Sequence, residues 1–291
     1  MTAPVAGLVV VDKSGGMTSH DVVSRVRRLA GTRKVGHAGT LDPMATGVLV
    51  LGVGRATRLL GYLMLTDKAY DATVRLGIST TTDDAEGDPI AARSTDGVTE
   101  AAVRMALQGF VGDLLQVPTA VSAIKVDGKR AYARVRAGER VELKARPVTV
   151  HELVVHDVVS SPEALDVQIS LRCSSGTYVR AIARDLGVTL GVGGHLAALR
   201  RTAVGAFDLT MARTLDRHAE ELSLVPLALV ARKRFPAVDL GADRAADVRV
   251  GRTLDLDLGT SGPVALFDPA GEFLALYEQR GDRAVATAVF V

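Results

Sequence analysis

The stretch Gly36-His37-Ala38-Gly39-Thr40-Leu41-Asp42-Pro43-Met44-Ala45-Thr46-Gly47 lies between two well-patterned segments and has no hydrophobic period of its own. Its three glycines permit backbone conformations closed to other residues and let a ligand approach the backbone closely. Pro43 stiffens the chain directly after Asp42, the only carboxylate of the stretch. Two interpretations stay open on spacing alone. In the first, Asp42 caps the next element, which is the commoner use of an Asp-Pro pair. In the second, Asp42 faces a ligand.

The segments around this loop carry alternating strand and helix patterns. A β-branched run predicts a strand over 7–13. Val22, Val23, Val26 and Leu29 recur at helical spacing and predict a helix that Ser19 caps at its start and Gly31 closes. Residues 79–97 predict an exposed acidic loop, and Thr99 is the predicted cap of a further helix. Strands and helices interleave without a regular βαβ rhythm, which favours an α+β fold.

Composition excludes several classes of protein. The 291 residues are 47% hydrophobic and 23% charged, as in ordinary globular proteins, and no run approaches the roughly 20 apolar residues of a membrane span. The first residues lack the pattern of a secretory signal, and the single cysteine, Cys173, excludes an internal disulfide, so we expect a cytoplasmic protein. The six histidines form no metal-binding motif, and no phosphate-binding glycine loop follows a strand. We therefore expect no metal and no nucleotide cofactor.

Charge is distributed unevenly along the chain. Residues 13–58 carry eight basic and two acidic groups, and residues 121–146 carry eight and three, whereas residues 237–291 have a net charge of −4. Clustered basic charge is typical of proteins that bind a polyanion. Charge alone does not decide whether these basic segments bind nucleic acid or only face solvent, and both interpretations remain equally open.

The loop 36–47 resembles the catalytic signature of the TruB family of tRNA pseudouridine synthases. Further blocks resemble that family's motifs in the family's order, over roughly residues 7–205. They are Val10-Val11-Asp12-Lys13 with Gly16-Met17-Thr18-Ser19, Asp67-Lys68-Ala69-Tyr70, Val121-Ser122-Ala123-Ile124-Lys125 with Gly128-Lys129-Arg130-Ala131-Tyr132, Ser174-Ser175-Gly176-Thr177-Tyr178-Val179-Arg180, and Gly194-His195-Leu196 with Leu199-Arg200-Arg201-Thr202. One departure is Ser14, where the family commonly has proline, and it should loosen the turn slightly.

The resemblance implies a fold and a division into domains. It implies an α+β pseudouridine synthase fold, with a central mixed, mainly antiparallel sheet flanked by helices and loops. Residues 1–236 would form the catalytic domain, with a basic RNA-gripping insertion at about 121–147. Residues 237–291 would form a small β-rich, PUA-like C-terminal domain.

The resemblance also assigns roles to particular residues. Asp42 would be the catalytic nucleophile, Arg180 the cation that keeps it ionised and oriented, and Tyr70 a catalytic group against the target base. The substrate-binding residues implied are His37, Tyr178, Lys13 and Leu199. The RNA-binding residues implied are Lys125, Lys129, Arg130 and Arg134, together with Arg136.

The activity implied is conversion of the uridine at position 55 in the tRNA T-loop to pseudouridine. The enzyme would flip the base out and would need no guide RNA, no cofactor and no metal. Its partner would be the T-arm stem-loop, with no protein partner and no membrane, and a monomer would suffice. Whether Asp42 attacks ribose C1′ or uracil C6 stays open.

Three alternatives remain beside this interpretation. Pseudouridine synthases of ribosomal RNA typically carry Gly-Arg-Leu-Asp where Gly39-Thr40-Leu41-Asp42 stands here, and they lack the basic insertion. The guide-RNA-dependent branch, of the dyskerin type, needs partner proteins and often has a basic tail. A non-catalytic RNA-binding protein or RNA chaperone could keep the fold, but the presence of Asp42, Tyr70 and Arg180 argues against loss of activity.

Overall fold

One large sheet organises the chain, seen here in a computed structural model that describes residues 6–119, 125–126, 129–130, 143–161 and 164–291. Its strands run in the order β1-β3-β12-β4-β11-β10-β7, with β2 beside β3 and β13 beside β12. Their bounds are β1 Gly7–Lys13, β2 Val35–His37, β3 Thr46–Val53, β4 Lys68–Leu76, β7 Gly112–Gln116, β10 Arg146–Ser160, β11 Leu165–Cys173, β12 Gly194–Val204 and β13 Phe207–Asp208.

Helices cover this sheet and connect its strands. They are α1 Ser19–Leu29, α2 Leu60–Met64, α3 Glu100–Gln108, α4 Val179–Thr189, α5 Leu215–Glu220, α6 Leu227–Arg234 and α7 Ala242–Arg249, and a 3-10 turn over Gly54–Leu59 precedes α2. In the described part of the chain, no helix is both long enough and apolar enough to cross a membrane. The expected α+β class is confirmed.

Strand β3 is buried on both faces, which explains its continuous apolar sequence. Leu49 and Leu51 belong to a core cluster with the valines of α1. Val48 and Val50 point the other way, into a cluster that contains three phenylalanines of the C-terminal segment. The predicted loop 36–47 is thus loop only over 38–45, between β2 and β3, and the strand that follows it is fixed from both sides.

The main sheet is mixed because β3 and β12 run parallel, whereas its other described pairs are antiparallel. The parallel contact pairs Thr46 with Arg200 and Gly47 with Arg201. Gly47 has a φ of +98°, and a Cβ atom there would lie 2.2 Å from the carbonyl oxygen of Arg201. Only glycine fits this crossing, which places the end of the loop beside β12.

Two local predictions are corrected and one is confirmed. The N-cap of α1 is Thr18 and not Ser19, since Thr18 accepts a hydrogen bond from the Asp21 amide and Asp21 bonds back in a capping box. Thr99 caps α3 as expected. The acidic segment is not all loop, because β5 Ile78–Thr80 and β6 Pro89–Ala92 pair as a hairpin.

The C-terminal segment forms a second sheet, in the order β14-β15-β16-β17. Its strands are β14 Ala237–Asp239, β15 Val264–Phe267, β16 Phe273–Arg280 and β17 Arg283–Val289. Phe267 and Phe290 pack in one core cluster with Leu8 of β1. Arg55 Nη1 donates to the Phe290 carbonyl oxygen at 2.7 Å, so the C-terminal segment is anchored to the large sheet. A boundary at 236/237 and the likeness to a PUA domain stay predictions.

Replacing Gly47 by alanine should destabilise the protein strongly. The positive φ and the clash with the Arg201 carbonyl oxygen together should lower the free energy of unfolding by more than about 3 kcal/mol. Gly61→Ala is the matched control, since Gly61 lies in α2 with no atom near the added methyl group, and it should stay within about 1 kcal/mol of wild type. Urea unfolding of both variants measures the difference, and equal midpoints would contradict this account of the crossing.

Candidate active site

A cavity of about 300 Å³ opens where the loop 39–42, β4, β12 and the start of α4 meet. Five residues predicted for the site line it, namely Asp42, Tyr70, Tyr178, Arg180 and Leu199. Its remaining wall includes Lys68 and Arg201. The structure therefore brings together residues that are up to 157 positions apart (Asp42 and Leu199) in the sequence.

Asp42 and Arg180 form a bidentate ion pair in the wall of the cavity. Arg180 Nη2 donates to Asp42 Oδ1 at 3.2 Å, and Arg180 Nε lies 3.1 Å from Asp42 Oδ2. The Arg180 side chain is 8% exposed, whereas that of Asp42 is 31% exposed. The guanidinium thus lies beneath the carboxylate and fixes its orientation, while the carboxylate stays accessible from the cavity.

The same guanidinium binds a second carboxylate. Arg180 Nη1 donates to Asp84 Oδ2 at 3.0 Å and to the Thr82 carbonyl oxygen at 3.2 Å. Asp84 is buried and also accepts hydrogen bonds from the Thr82 hydroxyl and the Glu86 amide. Arg180 is therefore held from below by a fully bonded carboxylate. Sequence analysis missed Asp84, which lies in the segment predicted to be an exposed loop.

Opposing influences act on the pKa of Asp42. Burial raises the pKa of this carboxyl, and the negative charge of Asp84 adds to the rise. The Arg180 guanidinium lowers the same pKa, but burial dominates, so the net direction is upward. The carboxyl group therefore depends on Arg180 to stay ionised in the cavity.

Arg201 holds the loop on the N-terminal side of Asp42. Its Nη1 donates to the Thr40 carbonyl oxygen at 3.2 Å and its Nη2 to that of Gly39 at 3.3 Å. Its Nε donates to the Val48 carbonyl oxygen at 2.7 Å. Since Arg201 is 1% exposed, the hydrogen bonds to these carbonyl oxygens are protected from water.

Ser19 and Lys13 hold the residues on either side of Asp42. The Ser19 hydroxyl donates to the Leu41 carbonyl oxygen at 3.0 Å and accepts from the Leu41 amide at 2.9 Å. Lys13 Nζ donates to the Pro43 carbonyl oxygen at 3.1 Å, and also to those of Ser14 and Met17. Lys13 is fully buried and does not line the cavity, so its contacts support the loop.

The two tyrosines occupy different parts of the wall. Tyr70 lies on β4, opposite Arg201 in the sheet, and burial raises the pKa of its phenol, which is therefore protonated at neutral pH. Tyr178 precedes α4, and its backbone is fixed by the Gln116 side chain. Gln116 accepts from the Tyr178 amide at 2.8 Å and donates to its carbonyl oxygen at 3.1 Å. This clamp, which no sequence pattern indicated, positions the start of the helix that carries Arg180.

Lys68 is a buried lysine in the cavity wall. Its Nζ donates to the carbonyl oxygens of Met64 at 3.0 Å and Thr66 at 2.8 Å. Burial and the nearby Arg201 lower the pKa of this amine to about 8. The lysine joins the end of α2 to β4 and holds the backbone of Met64, which also lines the cavity.

Several predicted residues lie outside the cavity wall or outside the described residues. His37 lies at the end of β2, its ring 5.8 Å from that of His20 in an edge-on arrangement, and it does not line the cavity.

In the insertion, the backbone pairs Lys125 with Arg130 and Val126 with Lys129, as strands β8 Lys125–Val126 and β9 Lys129–Arg130. Arg134 and Arg136 fall outside the described residues. Across those described, no three histidine, cysteine or acidic side chains are grouped as metal ligands would be.

Three family models match consecutive parts of the chain. The model described as TruB family pseudouridylate synthase (N terminal domain) matches residues 27–179. The tRNA pseudouridylate synthase B C-terminal domain matches residues 180–224, and the model described as tRNA Pseudouridine synthase II, C terminal, matches residues 235–291.

Curated relatives match over nearly the whole chain. A protein of Thermobifida fusca named tRNA pseudouridine synthase B is 57% identical, over 98% of both chains. A protein of Streptomyces griseus with the same name is 55% identical, over 98% of this chain and 97% of its own.

Solved structures share the fold. A chain in the structure of an H/ACA RNP bound to a substrate RNA containing 2'-deoxyuridine aligns with a TM-score of 0.74 at 24% identity, over 98% of this chain and 85% of its own. A chain in a Cbf5-Nop10-Gar1 complex aligns with a TM-score of 0.72 at 24% identity, over 98% and 84%. The expected pseudouridine synthase fold is confirmed, and the chain belongs to the TruB family of pseudouridylate synthases.

Proposed function

We propose that this enzyme converts a uridine of tRNA to pseudouridine, at position 55 of the T-loop. The observation that carries the proposal is the Asp42–Arg180 ion pair at the floor of an open cavity. The relatives named tRNA pseudouridine synthase B support tRNA as the substrate, because they match over nearly the whole chain.

The reaction is an isomerisation within one nucleotide. The bond from ribose C1′ to uracil N1 breaks and a bond from C1′ to C5 forms, while C5 loses a proton and N1 gains one. Asp42 acts as the nucleophile in this proposal, and it attacks either C1′ or C6. Attack at C1′ would resemble that of a glycosidase carboxylate on an oxocarbenium-like centre. Arg180 keeps the carboxylate charged and aimed at the cavity.

The other residues bind or position the nucleotide. Tyr70, a protonated phenol in the wall, lies against the base and is the proposed group for the C5 proton. In this proposal the phenol gives its proton to N1, and the resulting phenolate takes the proton from C5, so that the side chain ends in its starting state. Tyr178 and Leu199 form the remaining walls of the pocket for the flipped base. We assign Lys13 a positioning role, because its ammonium is occupied by carbonyl oxygens next to Asp42.

The target base must leave the stack before it reaches Asp42. We propose that His37, at the end of β2, helps to hold the RNA in the arrangement in which the target nucleotide is flipped out. The basic insertion, with Lys125, Lys129, Arg130 and Arg134, would bind the phosphates of the T-arm. Long cationic side chains suit recognition of a stem-loop by shape better than recognition of base edges.

We further propose that the enzyme acts without guide RNA, cofactor or protein partner, as a monomer in the cytoplasm. The similar solved structures named above are an H/ACA RNP and a Cbf5-Nop10-Gar1 complex, but at 24% identity the likeness concerns the fold alone. The relatives at 55% and 57% identity carry the name of a tRNA enzyme, which supports direct recognition of tRNA.

Replacing Asp42 by asparagine should abolish pseudouridine formation while leaving RNA binding within about twofold of wild type. Asparagine keeps the shape but cannot act as the nucleophile, so single-turnover rates on a T-arm stem-loop should fall by about 10⁴-fold or more. Binding of the same RNA, measured by filter retention, is the internal control. Turnover near wild type would remove Asp42 from the nucleophile role.

The single-turnover rate should fall at acid pH, with a midpoint above the value of about 4 that is usual for a carboxyl group. The raised pKa of Asp42 means that its ionised form is present above that pKa and is lost as the pH falls through it. Arg180→Gln should move the midpoint to still higher pH, because it removes the positive charge that lowers this pKa. A midpoint at or below 4 would contradict the proposed role of burial.

Replacing Lys129 and Arg130 together by alanine should weaken tRNA binding and flatten its salt dependence. For each phosphate that these side chains neutralise, their removal should reduce the slope of log affinity against log salt by about 0.7 to 0.9. Binding measured between 50 and 200 mM salt tests this. An unchanged slope would show that these two residues do not touch phosphate.

A further inference from the structure

A group of cations on and after α1 has no role in the site described above. Residues 19–34 carry five basic groups and one acidic group. Helix α1 buries its valines against β1 and β3, so its charged face points outward. Arg25, Arg28, Arg33 and Lys34 are all exposed, and we call these four residues the α1 patch.

The cations of the α1 patch have little carboxylate close to them, although Asp21 interacts electrostatically with Arg25. Among the described residues, none of the four side chains makes an ion pair or a hydrogen bond. Many other surface arginines are paired, as Arg75 is with Asp166 and Arg172 with Asp67. Four clustered cations that keep their full charge create a local positive potential that suits a polyanion.

The α1 patch lies close to the reaction centre. Ser19 opens α1 and bonds to Leu41, the residue before Asp42. At 1.5 Å per residue, Arg25 lies only about 9 Å further along the helix axis, and Arg28 about 14 Å. Lys34 directly precedes β2, which leads through His37 back to the same loop.

The α1 patch and the strands from which the basic insertion arises belong to opposite ends of the large sheet. In the sheet order, β1 is at one end and β7 at the other, and the insertion lies in the connection between β7 and β10. Strand β4, which carries Tyr70, stands in the middle, three strands from each end. Since neighbouring strands are about 4.8 Å apart, each end lies about 14 Å from β4. An RNA that enters the cavity from the insertion side would continue over α1.

We propose that the α1 patch binds backbone phosphates of the tRNA segment that leaves the cavity on the side away from the insertion. This inference rests on the proposed function, because it assumes that the cavity receives a tRNA nucleotide. The patch consists of three arginines and a lysine beside one exposed leucine, Leu29, so it fits a charged backbone better than an apolar protein surface. Its contacts are independent of sequence and add affinity without altering the chemical step.

The test compares two quadruple variants that each replace three arginines and one lysine. The first is R25A/R28A/R33A/K34A. The matched control is R244A/R280A/R283A/K233A, whose residues are exposed and free of ion pairs among the described residues but lie in the C-terminal part of the chain or next to it. The dissociation constant for unmodified tRNA transcript is measured from 50 to 200 mM salt, and the single-turnover rate is measured at saturating enzyme. Thermal unfolding verifies that both variants fold.

Removal of the α1 patch should weaken tRNA binding at least tenfold near 100 mM salt and reduce the salt slope by about 3 if all four cations contact phosphate. The saturating single-turnover rate should stay within twofold of wild type, and the control variant should bind as wild type does. An unchanged slope, or equally weakened binding in the control, would overturn the proposal. If the wild-type protein binds tRNA but forms no pseudouridine, the proposed function fails, while the binding comparison still decides whether the patch contacts RNA.

Discussion

The site depends on one guanidinium shared between two carboxylates. Arg180 binds Asp42 in bidentate fashion on one side and the buried Asp84 on the other. Burial raises the pKa of Asp42, so without this cation the carboxyl group would be more readily protonated. Asp84 binds Nη1 and fixes the plane of the guanidinium, although its negative charge also raises the pKa of Asp42. Orientation and ionisation of Asp42 thus follow from the same contact.

The fold brings this contact about through a crossing that tolerates only glycine. The parallel pairing of Gly47 with Arg201 brings β12 against the end of the loop that contains Asp42. Arg201 then binds the carbonyl oxygens before Asp42, and Lys13 binds the one after it. A strand crossing deep in the sheet is in this way coupled to the position of a single carboxylate at the cavity floor.

Local features could be predicted from sequence, and long-range ones could not. The strand over 7–13 and the Thr99 cap follow from residue type and spacing, and both are confirmed. Spacing alone favoured Asp42 as a turn cap, and only the family motifs indicated that Arg180 would lie beside it. The roles of Asp84 and Gln116 were missed, because their partners lie 96 and 62 residues away and no local pattern encodes such contacts.

The central claim is that this chain, alone, directs Asp42 at one uridine of tRNA. The most direct measurement is to incubate the purified protein with an unmodified tRNA transcript, without guide RNA or other protein, and to map pseudouridine at single-nucleotide resolution. The account predicts one pseudouridine, at position 55 of the T-loop. Formation of none, or formation only after a guide RNA is added, would contradict it.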